Sequence, residues 1–309
     1  EDGSIDTEKT TTTVSEEGVL LVEDTITSVK ISKVDIADGE ELEGATIQLI
    51  DKETGEVVEE WTSTNKAHEV TGLTTGKTYI LRETVAPEGY SITSDTTFEL
   101  KEDGSIDTEK TTTTVSEEGV LLVEDTITSV KISKVDIADG EELEGATIQL
   151  IDKETGEVVE EWTSTNEAHE VTGLTTGKTY ILRETVAPEG YSITSDTTFE
   201  LKEDGSIDTE KTTTTVSEEG VLLVEDTITS VKISKVDIAD GEELEGATIQ
   251  LIDKETGEVV EEWTSTNEAH EVTGLTTGKT YILRETVAPE GYSITSDTTF
   301  ELKEDGSID

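Results

Sequence analysis

Three ionisable residues occupy positions that strand alternation turns inward. Lys33 follows Val29 and Ile31 at a spacing of two, Glu83 shares the parity of Tyr79 and Leu81, and Asp125 that of Leu121 and Val123. Residues two apart on a strand face the same side, so one amine and two carboxyl groups are directed toward an apolar interior. Burying any of them alone is costly, and burial therefore demands pairing or neutralisation. The competing reading is a surface salt bridge, because a one-residue slip in register exchanges the two faces of a strand.

Elsewhere the sequence offers little chemistry. Asp35, Asp38 and Glu40 crowd one acidic turn, but the regular ligand spacing of a calcium loop is missing. His68, His169 and His270 stand one per repeat without partner ligands, which makes them surface or strand-end residues. Trp61, Trp162 and Trp263 are expected to anchor each core. The TEKTTTT run (7–13) reads as an exposed Thr-rich strand that glycans could decorate. There is no nucleophile–His–acid set and no phosphate loop, so neither a cofactor nor a metal is expected.

The elements that must position the three residues are short. VKISKVD (29–35), ATIQLID (45–51), EVVEEWT (56–62), HEVTGL, KTYILRET (77–84) and GVLLVED (119–125) read as strands. KETG is a hairpin turn, and 96–115 reads as two strands joined at Asp103-Gly104. Spacing of two dominates, β-branched residues abound and no helix is predicted. About eight strands in roughly 100 residues predict an all-β fold of Ig-like β-sandwich modules.

The segment EDGSID begins at Glu1, Glu102, Glu203 and Glu304, so the chain repeats every 101 residues. The copies are nearly identical, with Lys66 replaced by Glu167 and Glu268 in the later ones. That period suits a self-contained domain rather than a solenoid unit. The folded frame is displaced from the sequence frame. Modules span 28–126 and 129–227, a third at 230–309 lacks its last strands, and 1–27 are the orphaned closing strands of a preceding module. The chain starts and stops inside one turn, as a window from a longer polymer or a mature subunit cut there would.

A formal net charge of −52 excludes nucleic acid and anionic membranes as natural partners. It also makes neighbouring modules repel, which favours an extended array. No cysteine is present, and no apolar run reaches the ~18 residues of a membrane span.

The succession VKISKVDIADGEELEGATIQLID, EEWTST, GLTTGKTYILRETVAPEGY and VLLVED strongly resembles the Cna B-type domains of Gram-positive surface adhesins and pilins. The likeness covers the whole repeat, and ETVAPEGY with an upstream SKVD is its most specific part. In that family a first-strand Lys bonds covalently to an Asn or Asp on the last strand, assisted by the Glu of E-T-x-A-P-x-G-Y. Carried over by position, the resemblance implies Lys33, Glu83 and Asp125, then Lys134, Glu184 and Asp226, then Lys235 and Glu285 without an acceptor. Glu124 is the alternative acceptor if VLLVED is shifted by one. Amide formation needs a neutral amine, and desolvation favours the neutral forms of amines and carboxyls alike. It is a single turnover, so the chain is not expected to be an enzyme.

The resulting expectation is a structural stalk or fibre of tandem modules, extracellular and attached to a cell surface or cell wall. The alternative is a multivalent adhesin repeat binding a host ligand; about 4% aromatic residues favours the spacer. The expected partners are neighbouring copies of the same module, end to end. A head-to-tail filament would pair Asp24 of one chain with Lys235 of the next.

Overall fold

The computed structural model describes residues 11–309, so the first ten residues of the orphan segment, including the start of TEKTTTT, lie outside the described residues. Contacts divide the chain into two compact units, one running to Pro87 and including Ile92–Thr126, the other formed by Glu88–Ser91 and Ile127–Asp309. Among the described residues there is no helix, and none is therefore long and apolar enough to cross a membrane.

The first repeat supplies β1 (Ser28–Asp35), β2 (Thr46–Asp51), β3 (Val57–Thr62), β4 (His68–Thr71) and β5 (Thr78–Val85). β6 (Tyr90–Ser91), β7 (Thr96–Glu99), β8 (Thr114–Val115) and β9 (Leu121–Ile127) follow. In the first unit, one sheet runs β4-β1-β9 with β8 on β9, and the facing sheet runs β3-β2-β5-β7. β1 and β9 are parallel although they open and close the module, with Lys33 opposite Val123 and Asp35 opposite Asp125.

The second unit holds two repeats. The first of them supplies β10 (Ser129–Asp136), β11 (Thr147–Asp152), β12 (Val158–Thr163), β13 (His169–Thr172) and β14 (Thr179–Val186). It closes with β15 (Tyr191–Ser192), β16 (Thr197–Glu200), β17 (Thr215–Val216) and β18 (Leu222–Ile228). Its sheets are β13-β10-β18-β15, with β17 on β18, and β12-β11-β14-β16. The last repeat supplies β19 (Ser230–Ile233), β20 (Thr248–Asp253), β21 (Val259–Thr264), β22 (His270–Thr273), β23 (Thr280–Val287) and β24 (Thr298–Glu301). There β21-β20-β23-β24 form a full sheet, but β19 pairs only β22.

Each core sits between its two sheets because alternation places one apolar face on every strand. In the middle repeat Val130, Ile132, Ile148, Leu150, Leu182, Phe199, Leu222 and Val224 are buried together. Burying side chains of this size stabilises the fold by roughly 1.5–3 kcal/mol each. Trp162 packs against this core only partly buried, and Trp61 and Trp263 do the same. The tryptophans thus rim the cores, and Phe98 and Phe199 fill the centre.

β1 is buried on both faces around Lys33. Ser32 and Val34 face outward but lie under the 36–44 loop, where Ser32 Oγ donates to Glu41 at 2.6 Å and Leu42 N–H donates to Lys33 O at 2.7 Å. The second strand predicted within 96–115 is much shorter than its Thr-rich sequence suggests. Side-chain and turn bonds compete for its backbone: Thr111 Oγ1 donates to Asp107 O at 2.7 Å, and Lys110 N–H to the same carbonyl at 3.1 Å. What survives is a Leu100–Ile106 bridge and the two residues of β8.

Candidate functional site

Lys134 lies on β10, Asp226 on β18 and Glu184 on β14 of the facing sheet. Parallel pairing sets Lys134 opposite Val224 and Asp136 opposite Asp226, so Lys134 and Asp226 lie diagonally on one inward face. Glu184 pairs with Ile148 beside an irregularity in which the register shifts before Thr147 meets Val186. Such a bulge bends a strand and re-aims its side chains. Local sequence thus delivers the lysine and aspartate from one sheet and the glutamate from the other.

The three side chains meet in the core. Lys134 Nζ lies 3.0 Å from Glu184 Oε1 and in direct contact with Asp226 Oδ1, all three side chains being 0% exposed. The first unit repeats this, with Lys33 Nζ 3.2 Å from Glu83 Oε1 and in contact with Asp125 Oδ1. The other glutamate oxygen is also held: Thr194 N–H donates to Glu184 Oε2 and Thr93 N–H to Glu83 Oε2, both at 2.9 Å. Glu124, the alternative acceptor, points the other way and accepts from Thr114 Oγ1 at 2.5 Å.

Burial pushes the Glu83 carboxyl up to about 7, against the lowering pull of Lys33. It pushes Asp226 to about 7 as well, and raises Asp125. Desolvation thus favours the neutral form of these carboxyls. An amine against one carboxyl carbon, with a second carboxyl able to donate and accept protons, is the constellation that acyl transfer needs.

In the last repeat Lys235 Nζ lies 3.2 Å from Glu285 Oε1, and Thr295 N–H donates to Glu285 Oε2 at 2.7 Å. No aspartate reaches this pair among the described residues. The pair instead lines a cleft of about 210 Å³ together with Ile233, Ile249, Leu283 and Thr298. Asp24, in the first unit, is exposed. Two apolar residues ahead of it, Leu20 and Val22, are exposed too: Val22 is 94% accessible, where its counterpart Val123 is 2%.

Sequence reasoning missed one member of the site's surroundings. Tyr191 Oη donates to Asp136 Oδ2 at 2.8 Å, next to the acceptor, and burial with that bond pushes the phenol up to about 12. Tyr292 makes the same bond to Asp237 at 2.7 Å. The Tyr of P-E-G-Y was the available signal, but its partner lies 55 residues earlier.

The other candidates do local work. Asp35 Oδ1 accepts from Ala37 N–H at 2.7 Å and Asp38 Oδ1 from Glu40 N–H at 2.8 Å, which makes the acidic turn a capped one. His68 stacks on Trp61 with ring centroids 4.4 Å apart, and its Nε2 lies 2.7 Å from Glu59 Oε1.

The family model described as SpaA, prealbumin-like fold domain, matches three times, at residues 27–114, 128–215 and 229–309. This agrees with the resemblance to Cna B-type modules. No curated protein is significantly similar in sequence. Among solved structures, the TIE protein of Bacillus anthracis is 27% identical over 92% of this chain and 49% of its own, with a TM-score of 0.45. The chain thus spans about half the length of that protein. A streptococcal ancillary pilin is 19% identical over 91% of this chain and 96% of its own, with a TM-score of 0.35. For BcpA, the major pilin subunit of Bacillus cereus, the identity is 17%, the coverage 91% and 96%, and the TM-score 0.33.

Proposed function

We propose, from the premise that this chain belongs to the family of SpaA prealbumin-like fold domains, that it is a tension-bearing stalk of an extracellular, cell-surface fibre, clamped by autocatalytic Lys–Asp amide bonds. The observation that carries the reading is the fully buried contact of Lys134 Nζ with Asp226 Oδ1 beside Glu184. Lys33 and Asp125, beside Glu83, form the second clamp.

The reaction balances without a co-reactant. A proton passes from the ammonium to the aspartate, leaving an amine and a neutral carboxyl. Protonated glutamate donates to the aspartyl oxygen as the amine attacks the carbonyl carbon, and then takes a proton from the nitrogen. It protonates the departing hydroxyl as the C–O bond breaks and recovers a proton from the remaining hydroxyl. One water leaves per amide formed, and the glutamate ends as it began. Folding supplies the proximity that an enzyme would otherwise provide.

The mechanical benefit follows from topology. Lys33 and Asp125 are 92 residues apart (125 minus 33) and sit on the first and last strands of the module. Closing a loop of that length removes about 4–5 kcal/mol of chain entropy from the unfolded state. A bond between these strands also carries tension past the core without unfolding it.

The same chemistry extends to a neighbour. Residues 13–26 repeat the sequence of β8 to β9 and leave exposed the apolar side chains that β9 buries. Added as a strand beside β19 of another copy, this segment would bring Asp24 to Lys235. Intact-mass spectrometry under denaturing conditions tests both steps. Two bonds leave the chain two waters lighter than its sequence mass, and chain-to-chain bonds give covalent multiples of 33.4 kDa. A full sequence mass removes the clamp, and a purely monomeric spectrum removes the covalent filament.

A further inference from the structure

Thr229 stands between β18 and β19, in a Thr-Ile-Thr-Ser stretch that reads as an ordinary linker. Yet it is 3% exposed. Its hydroxyl proton is shared between Leu275 O at 2.6 Å and Gly190 O at 3.2 Å. Its N–H donates to Gly190 O at 2.9 Å, and its carbonyl accepts from Gly274 N–H at 3.0 Å. Every polar group of one connecting residue is thereby satisfied, half by the repeat before it and half by the repeat after it.

The surrounding contact is equally close. Gly190 has φ +86°, and a Cβ there would stand 3.1 Å from Gly274 O and 3.2 Å from Gly274 Cα. Both the backbone angle and the space therefore require glycine. Ile193 N–H donates to Glu304 O at 2.9 Å, and a Cβ on Gly306 would meet Ser192 Cβ at 3.1 Å. The bonding recurs around Thr128 within the same unit, to Leu174 O at 2.7 Å and Gly89 O at 3.2 Å. In the first unit Thr27 makes the forward half of the set, to Leu73 O at 2.7 Å, and is only half-buried.

Flexible linkers are exposed and few contacts cross them. We infer that the middle and last modules are joined by a built joint that fixes their angle, with Thr229 as its pin and Gly190 on Gly274 as its bearing face. The partner this face fits is the Gly-Leu turn of another copy of the same module. The P-E-G-Y segment that follows Glu184 thus has a second task at the module end, independent of any cross-link. Charge repulsion could also hold these two modules apart on a loose linker at low salt, so salt separates the two causes of a fixed spacing.

The chain has no cysteine, so Lys153→Cys with Lys254→Cys places two spin labels on exposed turns of adjacent modules. Double electron–electron resonance should give one narrow distance that is unchanged from about 0.01 M to about 1 M salt, as the screening length falls from about 30 Å to about 3 Å. Thr229→Val and, separately, Gly190→Ala should broaden the distribution about twofold toward that of a free linker. Thr229→Ser, which keeps the hydroxyl, should restore the narrow form. A broad or salt-dependent distribution in the parent overturns the joint, as does a Thr229→Val variant as narrow as the parent or a Thr229→Ser variant as broad as Thr229→Val.

Discussion

The middle and last repeats carry the same lysine and glutamate in the same arrangement, but only the middle one covers them. The amine-to-carboxyl distance is 3.0 Å in one and 3.2 Å in the other, and each glutamate accepts a threonine N–H. In the middle repeat β18 lies along β10, which runs eight residues. In the last, β19 ends at Ile233 after four, Lys235 is 15% exposed, and Phe300 is only partly buried where Phe199 is fully so. The donor half of the site is therefore assembled without the closing strand. What that strand brings is the acceptor and the exclusion of water.

The largest effect should come from making the middle repeat resemble the last. Asp226→Ala removes the acceptor while β18 keeps its apolar residues. The chain should gain one water in mass relative to the substitution alone, and the middle module should lose about 4–5 kcal/mol of stability from its unfolded-state constraint. Intact mass and denaturant unfolding read the two effects. A parent chain at full sequence mass, or a variant that unfolds together with the parent, breaks the comparison.

Glu184→Gln leaves the acceptor and the cover in place and removes the proton shuttle. The bond should still form, but about 10²–10⁴-fold more slowly, the usual contribution of a positioned acid–base group. The rate at which refolded chains lose water checks this. Equal rates for parent and variant would leave the glutamate a structural role alone.

The triad was partly legible in the sequence. Period-two spacing directs Lys33, Glu83 and Asp125 inward, but nothing local says that the first and last strands are parallel neighbours, and the family resemblance supplied that pairing. Glu184 keeps the inward parity of Tyr180 and Leu182, but that it sits on the sheet facing the lysine is set by a topology no alternation pattern reveals. Tyr191 with Asp136 and Thr229 with Gly190 escaped notice because they join residues 55 and 39 apart in the chain. The tryptophans pack against each core as their size suggests, but from its rim, where each ring stacks on a half-buried histidine.

Lys134→Met asks what the amine contributes when no bond can form. It leaves Glu184 and Asp226 buried without a cation. A buried carboxyl binds its proton more tightly folded than unfolded, so its stabilising contribution is complete below the unfolded value and is lost as pH rises toward the folded one. Asp226 reaches about 7 even with Lys134 lowering it, from an ordinary 3.8. The variant's middle module should therefore weaken steadily as pH rises from about 4 through 7, by up to about 1.4 kcal/mol per pH unit through Asp226. Unfolding curves at several pH values test the sign, and a variant that strengthens toward neutrality contradicts the burial of these groups.

The smallest expected effect separates the two repeats most finely. Tyr191 and Tyr292 make the same bond, at 2.8 and 2.7 Å, to Asp136 and Asp237. Tyr191 also belongs to β15, which pairs with β18, whereas Tyr292 is 46% exposed. A hydrogen bond to a charged group contributes about 1.5–3 kcal/mol when shielded and less when water competes. Tyr191→Phe should therefore cost the middle module about 1–2 kcal/mol, and Tyr292→Phe under about 0.5 kcal/mol in the last. Tyr292 bonds Asp237 where no closing strand lies beside it, so the tyrosine latch does not require that strand. Equal losses in the two repeats, measured by denaturant unfolding, would show instead that the closing strand adds nothing to the latch.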